Sequence, residues 1–120
     1  MKYVFLFCGR SDDQARFEAL PPEQLQEAYR RVGQWFQQYG SKITGGEQLQ
    51  PPSTATTVLP GENGKPIVKD GPFIEGKEVI GGYAEVEAAN LDEALEMAKG
   101  WPAGPVEIRP IVERMGAPQG

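Results

Sequence analysis

The segment Tyr3-Val4-Phe5-Leu6-Phe7-Cys8 opens the chain with six apolar side chains in succession. Successive side chains of a strand point to opposite faces, so residues 3, 5 and 7 share one face and residues 4, 6 and 8 share the other. A strand that is apolar on both faces must be covered on both sides. The chain offers two convincing helices for one side, and the second side therefore needs another layer, for which a second subunit is the candidate.

Two helices are predicted on either side of a central stretch of strands. The first begins at Pro21-Pro22-Glu23, because proline suits the first helical turn, and ends at Gly40. The second begins at Asn90, with Glu93 three residues later as in a capping box, and ends at Gly100. The first helix carries a broad apolar stripe at steps of three and four: Leu25, Ala28, Tyr29, Val32, Trp35, Phe36 and Tyr39. We interpret its aromatic residues as core or interface, with ligand stacking as the alternative.

Alternating or β-branched segments supply the remaining strands, at residues 42–44, 54–59, 66–69, 83–87 and 106–111. Residues 60–65 are rich in turn formers, so the segments on either side of them form a hairpin. The resulting order of strand, helix, strand, hairpin, strand, helix, strand predicts an α+β chain of the ferredoxin-like βαββαβ type with an inserted β-hairpin. Its four-stranded sheet would carry both helices on one face. The bare opposite face predicts a two-fold homodimer.

Length and charge exclude several classes of protein. The chain has 120 residues and a net charge of −5, which fits one domain and gives no basic stripe for direct nucleic-acid binding. Since no apolar run is long enough for a membrane span and the single cysteine cannot form an internal disulfide, we expect a cytoplasmic protein without membrane contact. We place the domain at residues 1–113. A C-terminal tail at 114–120 is expected to fray or to reach a partner.

The absence of histidine limits the chemistry that the chain can perform. With no histidine among the 120 residues, neither a Ser-His-Asp triad, a Cys-His pair nor a histidine metal site is possible. Cys8 lies inside the first predicted strand, so we interpret it as an inert core thiol, with a reactive thiol as the alternative. Carboxylates, lysine or tyrosine must therefore supply any acid or base.

The densest polar cluster is Asp70-Gly71-Pro72-Phe73, followed by Glu75 and Lys77. In one interpretation Asp70 is a pocket carboxylate whose pKa is raised beside Phe73 and tuned by Lys77, so that it acts as a base or binds a ligand. In the other, Asp-Gly-Pro is ordinary turn chemistry. The sequence leaves both interpretations open.

A second cluster spans residues 45–54. Its glycines permit close backbone approach, and Glu47, Gln50, Ser53 and Thr54 can line a cavity. It lacks the glycine and lysine pattern of nucleotide-binding loops. An acidic metal site formed by Glu47, Asp70 and Glu75 is supported by no spacing rule. We therefore predict no metal and no cofactor.

Several segments together resemble the YCII-related, or DGPF-domain, family over nearly the whole chain. They are Met1-Lys2-Tyr3-Val4, residues 46–51, Ala55-Thr56-Thr57-Val58, Asp70-Gly71-Pro72-Phe73 with Glu75 and Lys77-Glu78, Gly81-Gly82-Tyr83, Leu91-Asp92-Glu93-Ala94 and residues 106–110. The resemblance implies a ferredoxin-like subunit that forms a dimeric α/β barrel with a cleft in each protomer. It also implies association with extracytoplasmic-function sigma factors for the DGPF branch.

The same resemblance implies enzyme-like relatives, of the muconolactone-isomerase or dehalogenating type, and a His-Asp pair in wider YCII-like proteins. This chain lacks the histidine of that pair, so Asp70 is the only candidate catalytic residue that the resemblance transfers to this chain. We expect a small-ligand-binding or regulatory module. The alternative is a lyase- or isomerase-like enzyme acting on a small organic acid or lactone, in which Asp70 accepts a proton, Lys77 anchors an anion, and Tyr83 or Ser53 donates a hydrogen bond. The predicted site comprises Glu47, Gln50, Ser53, Thr54, Asp70, Phe73, Lys77 and Tyr83.

Overall fold

The computed structural model describes residues 1–113, so the predicted tail at 114–120 lies outside the described residues. Its strands and helices follow one another as β1 (Lys2–Arg10), α1 (Asp13–Glu18), α2 (Pro22–Tyr39), β2 (Ile43–Gln48), β3 (Thr56–Leu59), β4 (Ile67–Asp70), β5 (Glu78–Glu87), α3 (Leu91–Lys99) and β6 (Val106–Pro110). In the described part of the chain, no helix combines the length and apolarity that a membrane span requires.

The sheet topology confirms the ferredoxin-like prediction. Four strands form an antiparallel sheet in the order β2-β5-β1-β6, while β3 and β4 pair with each other in a separate two-stranded sheet. Without that inserted hairpin and the short α1, the chain order is βαββαβ, and the two strand–helix–strand halves interleave so that β1 and β5 are the central strands. The protein is therefore an α+β chain with a hairpin added between its halves.

The core lies between the sheet and the helices α2 and α3. Tyr3 and Phe5 of β1 are buried there, as are Ala84 and Val86, which lie opposite them on β5. The other buried apolar residues are Trp35, Ala88, Ala94 and Met97. The first strand was predicted to have residues 3, 5 and 7 on one face. The structure confirms that residues 3 and 5 share the face that packs against the helices.

Helix α3 begins as its sequence predicts. The Asn90 side chain accepts a hydrogen bond from the Glu93 N–H at 3.0 Å, and the Glu93 carboxylate accepts from the Ala89 N–H at 3.3 Å. Glu93 also accepts from Lys42 Nζ at 2.8 Å, which joins the start of α3 to the chain just before β2. The hydrogen bond from Lys42, followed by the one from Ala89, lowers the pKa of Glu93.

Several predicted boundaries were wrong, and cross-strand pairing explains most of the differences. Strand β1 continues to Arg10 because Arg10 pairs with Glu78, so β5 begins five residues before the predicted start at Tyr83. Strand β2 runs on to Gln48, so Gly45 and Gly46 lie in a strand and not in a loop. The short helix α1 was missed, because six residues carry too little periodicity to detect.

The sheet face opposite the helices carries the other half of β1. By alternation Val4 and Leu6 point to this face, and both are half-buried. Glu85 of β5 and Arg109 of β6 lie on either side of Val4 in the register. We call this surface the open face. The two-fold dimer expected from it stays a prediction.

Candidate functional site

A cleft of about 1640 Å³ lies between α1, α2 and one end of the sheet. Its floor is the end of β1 together with the first half of β5, from Val79 to Ala84, and β2 forms one wall. Helix α2 contributes the opposite wall, where the half-buried Ala28 and Val32 line the space. Pockets for small organic ligands typically measure roughly 300–1,000 Å³, so the cleft of a single chain is wider than a closed ligand site.

Aromatic rings line the inner part of the cleft. The ring centroids of Phe7 and Trp101 are 4.3 Å apart, and Phe36 meets Trp101 edge to face at 5.8 Å. Phe36 remains 40% exposed, so part of its ring is available to a ligand. Of the aromatic stripe predicted on the first helix, Trp35 therefore belongs to the core, whereas Phe36 belongs to the cleft.

Arginines at the rim of the cleft are paired with nearby carboxylates. Arg16 lies 3.8 Å from Asp12 and 3.7 Å from Asp13, and Arg10 lies 3.8 Å from Asp12. These side chains are all more than half exposed, and exposed pairs contribute about 0–1 kcal/mol to stability. The two guanidinium groups can therefore turn toward an anionic ligand at little cost.

Glu27 is the carboxylate on the α2 side of the cleft. It accepts from Arg30 Nε at 2.8 Å and from Arg31 Nε at 3.4 Å. The hydrogen bond from Arg30, with smaller contributions from the charges of both arginines, lowers the pKa of Glu27 to about 2. Glu27 therefore remains ionised at neutral pH and is a weaker base than an ordinary glutamate.

A β-bulge shapes the floor of the cleft. Phe7 pairs with Gly82 and Cys8 pairs with Ile80, which leaves Gly81 as the extra residue on β5. The Gly81 carbonyl accepts from the Leu49 N–H at 2.8 Å, so the bulge also holds the chain that leaves β2. Bulges redirect side chains and are common beside functional sites. The Gly81-Gly82 pair was the sequence signal for it.

The structure brings together some of the predicted site residues. Glu47, Gln50 and Tyr83 line the cleft, and Cys8 lines it as well. The lining does not include the other five predicted residues, which are Ser53, Thr54, Asp70, Phe73 and Lys77. Residues that sequence reasoning missed include Arg10, Arg16 and Trp101. Arg10 lies among turn-forming residues at 9–13, which marks the end of the first strand, whereas no sequence signal marked Arg16 or Trp101.

The Asp70-Gly71-Pro72-Phe73 segment closes the base of the hairpin. Gly71 has φ +106, a conformation that favours glycine, and its N–H donates to the Ala55 carbonyl at 2.8 Å. Its own carbonyl accepts from Thr57 Oγ1 at 2.6 Å. Turn geometry thus accounts for the glycine, while Asp70 is exposed and Phe73 is 72% exposed.

The acidic residues weighed as a metal site lie on different elements. Glu47 is on β2, Asp70 ends β4, and Glu75 follows it and lies 3.8 Å from Lys69. Within residues 1–113, no group of three or more acidic or cysteine side chains has an arrangement that could hold a metal ion.

Comparisons with known proteins identify the family of this chain. Residues 1–114 match the model of the YCII-related domain. An uncharacterized protein of Rhizobium meliloti (strain 1021) is 40% identical over 65 residues, which are 50% of this chain and 52% of that protein. The match thus spans about half the length of this curated relative.

One solved structure similar to this chain is 5-chloro-2-hydroxyhydroquinone dehydrochlorinase from Burkholderia phenoliruptrix AC1100, in complex with 2,5-dihydroxybenzoquinone. It is 14% identical, and the alignment covers 95% of this chain and 96% of that chain with a TM-score of 0.49.

Proposed function

The chain belongs to the YCII-related family, and on that premise we propose that it is a small-ligand-binding or regulatory module whose ligand occupies the cleft between α1, α2 and the sheet. The observation that carries the proposal is the aromatic cleft itself. Phe7, Phe36 and Trp101 supply apolar surface, and polar groups from β2 and α1 surround it. Apolar walls with a few converging polar groups are the usual composition of small-molecule sites.

The residues around the cleft indicate the class of ligand. Aromatic side chains favour a ring or another flat apolar body, since ring pairs add to the stabilisation from burial alone. Arg10 and Arg16 at the rim favour a carboxylate or another anionic substituent, which a guanidinium group binds through two parallel hydrogen bonds. We therefore propose a small aromatic or cyclic acid as the ligand. Since the chain contains no histidine, binding without conversion is the simpler use of such a site.

Filling the cleft tests this proposal. Ala28→Trp adds a bulky side chain to the cleft wall, whereas Gln37→Trp adds the same side chain to an exposed position of α2 outside the cleft lining. In a thermal-shift screen of cyclic and aromatic acids, a true ligand at 100 times its Kd stabilises the wild-type protein by about 2.7 kcal/mol. We expect Ala28→Trp to weaken that binding at least tenfold.

Gln37→Trp should bind the ligand like the wild type, which separates blocking of the cleft from a general effect of tryptophan. Circular dichroism and the melting temperature without ligand show whether Ala28→Trp remains folded. Equal binding by both variants would place the ligand elsewhere and contradict the proposed site.

We further propose that the protein works as a homodimer joined through the open faces of its sheets. Glu85 and Arg109 flank Val4 on its two sides. A two-fold rotation about the direction of β1 places each Glu85 opposite the partner's Arg109, so the surface is complementary to itself. Burial of Val4 and Leu6 would supply the apolar contribution.

A cytoplasmic location and a sigma-factor partner are also part of the proposal. The support for both comes from the sequence: the single cysteine in the first case and the resemblance to the DGPF branch in the second. Co-elution of the purified protein with a purified extracytoplasmic-function sigma factor tests the partner.

An enzyme is the second candidate function, and the fixed turn around Asp70 is the observation that favours it. The hydrogen bonds of Gly71 hold the backbone beside Asp70 in one conformation, which orients an exposed carboxylate before a substrate arrives. If Asp70 is a general base, Asp70→Asn should lower turnover by about 10²–10⁴-fold while the fold and subunit count stay the same. Steady-state kinetics of the wild type and Asp70→Asn, on any substrate found in the ligand screen, measure this change in turnover. Unchanged turnover would remove Asp70 from the mechanism.

A further inference from the structure

The hairpin and the segment after it project from the rest of the molecule. We call residues 56–77 the arm. Five large apolar residues of the arm are between 55% and 77% exposed: Val58, Ile67, Val68, Phe73 and Ile74. The Cα radius of gyration is 17.2 Å, whereas a compact chain of this length has about 13–14 Å. The arm is thus an extension with an apolar surface.

Both faces of the arm carry apolar side chains. Val58 lies opposite Val68 on one face, and Leu59 lies opposite Ile67 on the other. A two-stranded hairpin on its own is marginally stable in water, so an ordered hairpin of this kind needs a surface to pack against. Val58, Ile67 and Val68 are each more than half exposed, so the rest of residues 1–113 does not cover the hairpin.

The root of the arm is held in place, which argues against the arm folding back as a lid. On one side the chain enters through Pro51 and Pro52, whose rings restrict φ. On the other side the Lys77 carbonyl accepts from the Ser11 N–H at 2.7 Å, and Gly71 is bonded across to Ala55. An arm fixed at both sides of its root extends away from its own subunit.

Leu49 and Ile80 form an apolar surface that a second copy can present to the arm. Leu49 is 47% and Ile80 is 46% exposed, and both line the rim of the cleft next to the open face. The five arm side chains together expose on the order of 500 Å², as much as the largest apolar patch of a typical monomer. That area is more than half of the roughly 800 Å² per partner that a standard stable interface buries.

We propose that the arm of each subunit packs against Leu49 and Ile80 of a second copy, so that Phe73 of one subunit completes the cleft of the other. The exchange is reciprocal, as a two-fold axis requires, and it buries both uncovered apolar surfaces at once. It also accounts for two facts about the isolated chain: the cleft is too wide, and three of the eight predicted site residues, Asp70, Phe73 and Lys77, lie on the arm. This inference rests on the cleft being the ligand site.

Sedimentation velocity over a concentration series tests the role of the arm without any ligand. Val68 is 66% exposed in the single chain, so Val68→Glu leaves the subunit core untouched. We expect the wild type to dimerise and Val68→Glu to raise the dimer Kd at least tenfold, with Ile74→Glu doing the same. Leu91→Glu adds an equal charge to an exposed position of α3 and should dimerise like the wild type.

Cross-linking tests where the arm of each subunit lies. Cys8 lines the cleft and is the single cysteine of the chain, so Phe73→Cys adds one defined partner for a short bis-maleimide reagent. In a mixture of ¹⁴N- and ¹⁵N-labelled protein, we expect peptides that join Cys8 of one isotope to position 73 of the other. Val112→Cys is the control and should give few such peptides.

Three results would overturn the inference: a wild type that stays monomeric at every concentration, a Val68→Glu variant that dimerises as tightly as the wild type, or cross-links confined to single chains. Because none of these measurements uses a ligand, they are independent of the proposed function. A ligand that binds Ala28→Trp normally would defeat the proposed site while leaving the exchange of arms intact.

Discussion

Replacing Trp35 by alanine is expected to lower the free energy of unfolding by about 3–5 kcal/mol, the range for truncating a large buried aromatic residue. Trp35 is 3% exposed, and its ring lies within 5.0 Å of the Trp101 ring and 6.0 Å of the Phe7 ring. Its Nε1–H also donates to the Met97 carbonyl at 2.9 Å. The substitution removes this hydrogen bond and leaves a cavity beneath the cleft. Urea denaturation followed by circular dichroism measures the loss.

The matched variant for this prediction is Phe36→Ala. Phe36 is the next residue on α2 and packs against Trp35 at 5.1 Å, but it is 40% exposed. Truncation there should cost less than half as much as at Trp35, since much of the ring already meets solvent. Equal losses at the two positions would mean that Trp35 is not the central contact of the core.

Gly46→Ala is expected to destabilise the chain by about 3 kcal/mol or more, because the position combines backbone strain with a clash. Gly46 has φ +140, and a Cβ atom there would lie 2.3 Å from the Tyr83 carbonyl oxygen and 2.7 Å from Ala84 Cα. These are backbone atoms of the neighbouring strand and cannot move aside alone. Strand β2 must separate from β5, and the wall of the cleft is lost with it. Denaturation and hydrogen exchange of the β2 amides measure both effects.

Gly33→Ala is the control for Gly46→Ala, since Gly33 lies in α2 and a Cβ atom there meets nothing within 4 Å. Alanine in an open helical position stabilises by roughly 0.5–1 kcal/mol relative to glycine. The two glycine substitutions should therefore have opposite signs. A mild effect at Gly46 would show that β2 and β5 tolerate a wider separation than their register implies.

Local sequence signals predicted the main elements because each depends on residues close together in the chain. The stripe from Leu25 to Tyr39 predicted α2, and Asn90 with Glu93 predicted the start of α3. Helix α1 and the extensions of β1, β2 and β5 were missed. These extensions depend on pairing between residues that are far apart in the chain, such as Arg10 with Glu78. A local sequence pattern cannot predict such pairing.

The candidate site was predictable only in part for the same reason. Glu47, Gln50 and Tyr83 were found as polar residues near glycines, and they do line the cleft. Asp70 and Phe73 stood out equally in the sequence, yet they lie on the projecting arm. The sequence of a turn motif predicts the local backbone conformation, but it does not predict the surface against which the turn packs.

The amino-acid order by itself determined the ferredoxin-like plan, the two-sided first strand and the exclusion of histidine chemistry, since these depend on residue type and on repeats of two or 3.6 residues. Only the tertiary structure decided where the cleft lies, that Phe36 faces it while Trp35 is buried, and that the hairpin stands apart from the sheet. The physical reason is that cavities and uncovered surfaces arise from how distant elements approach one another, and that approach is a property of the whole packed chain.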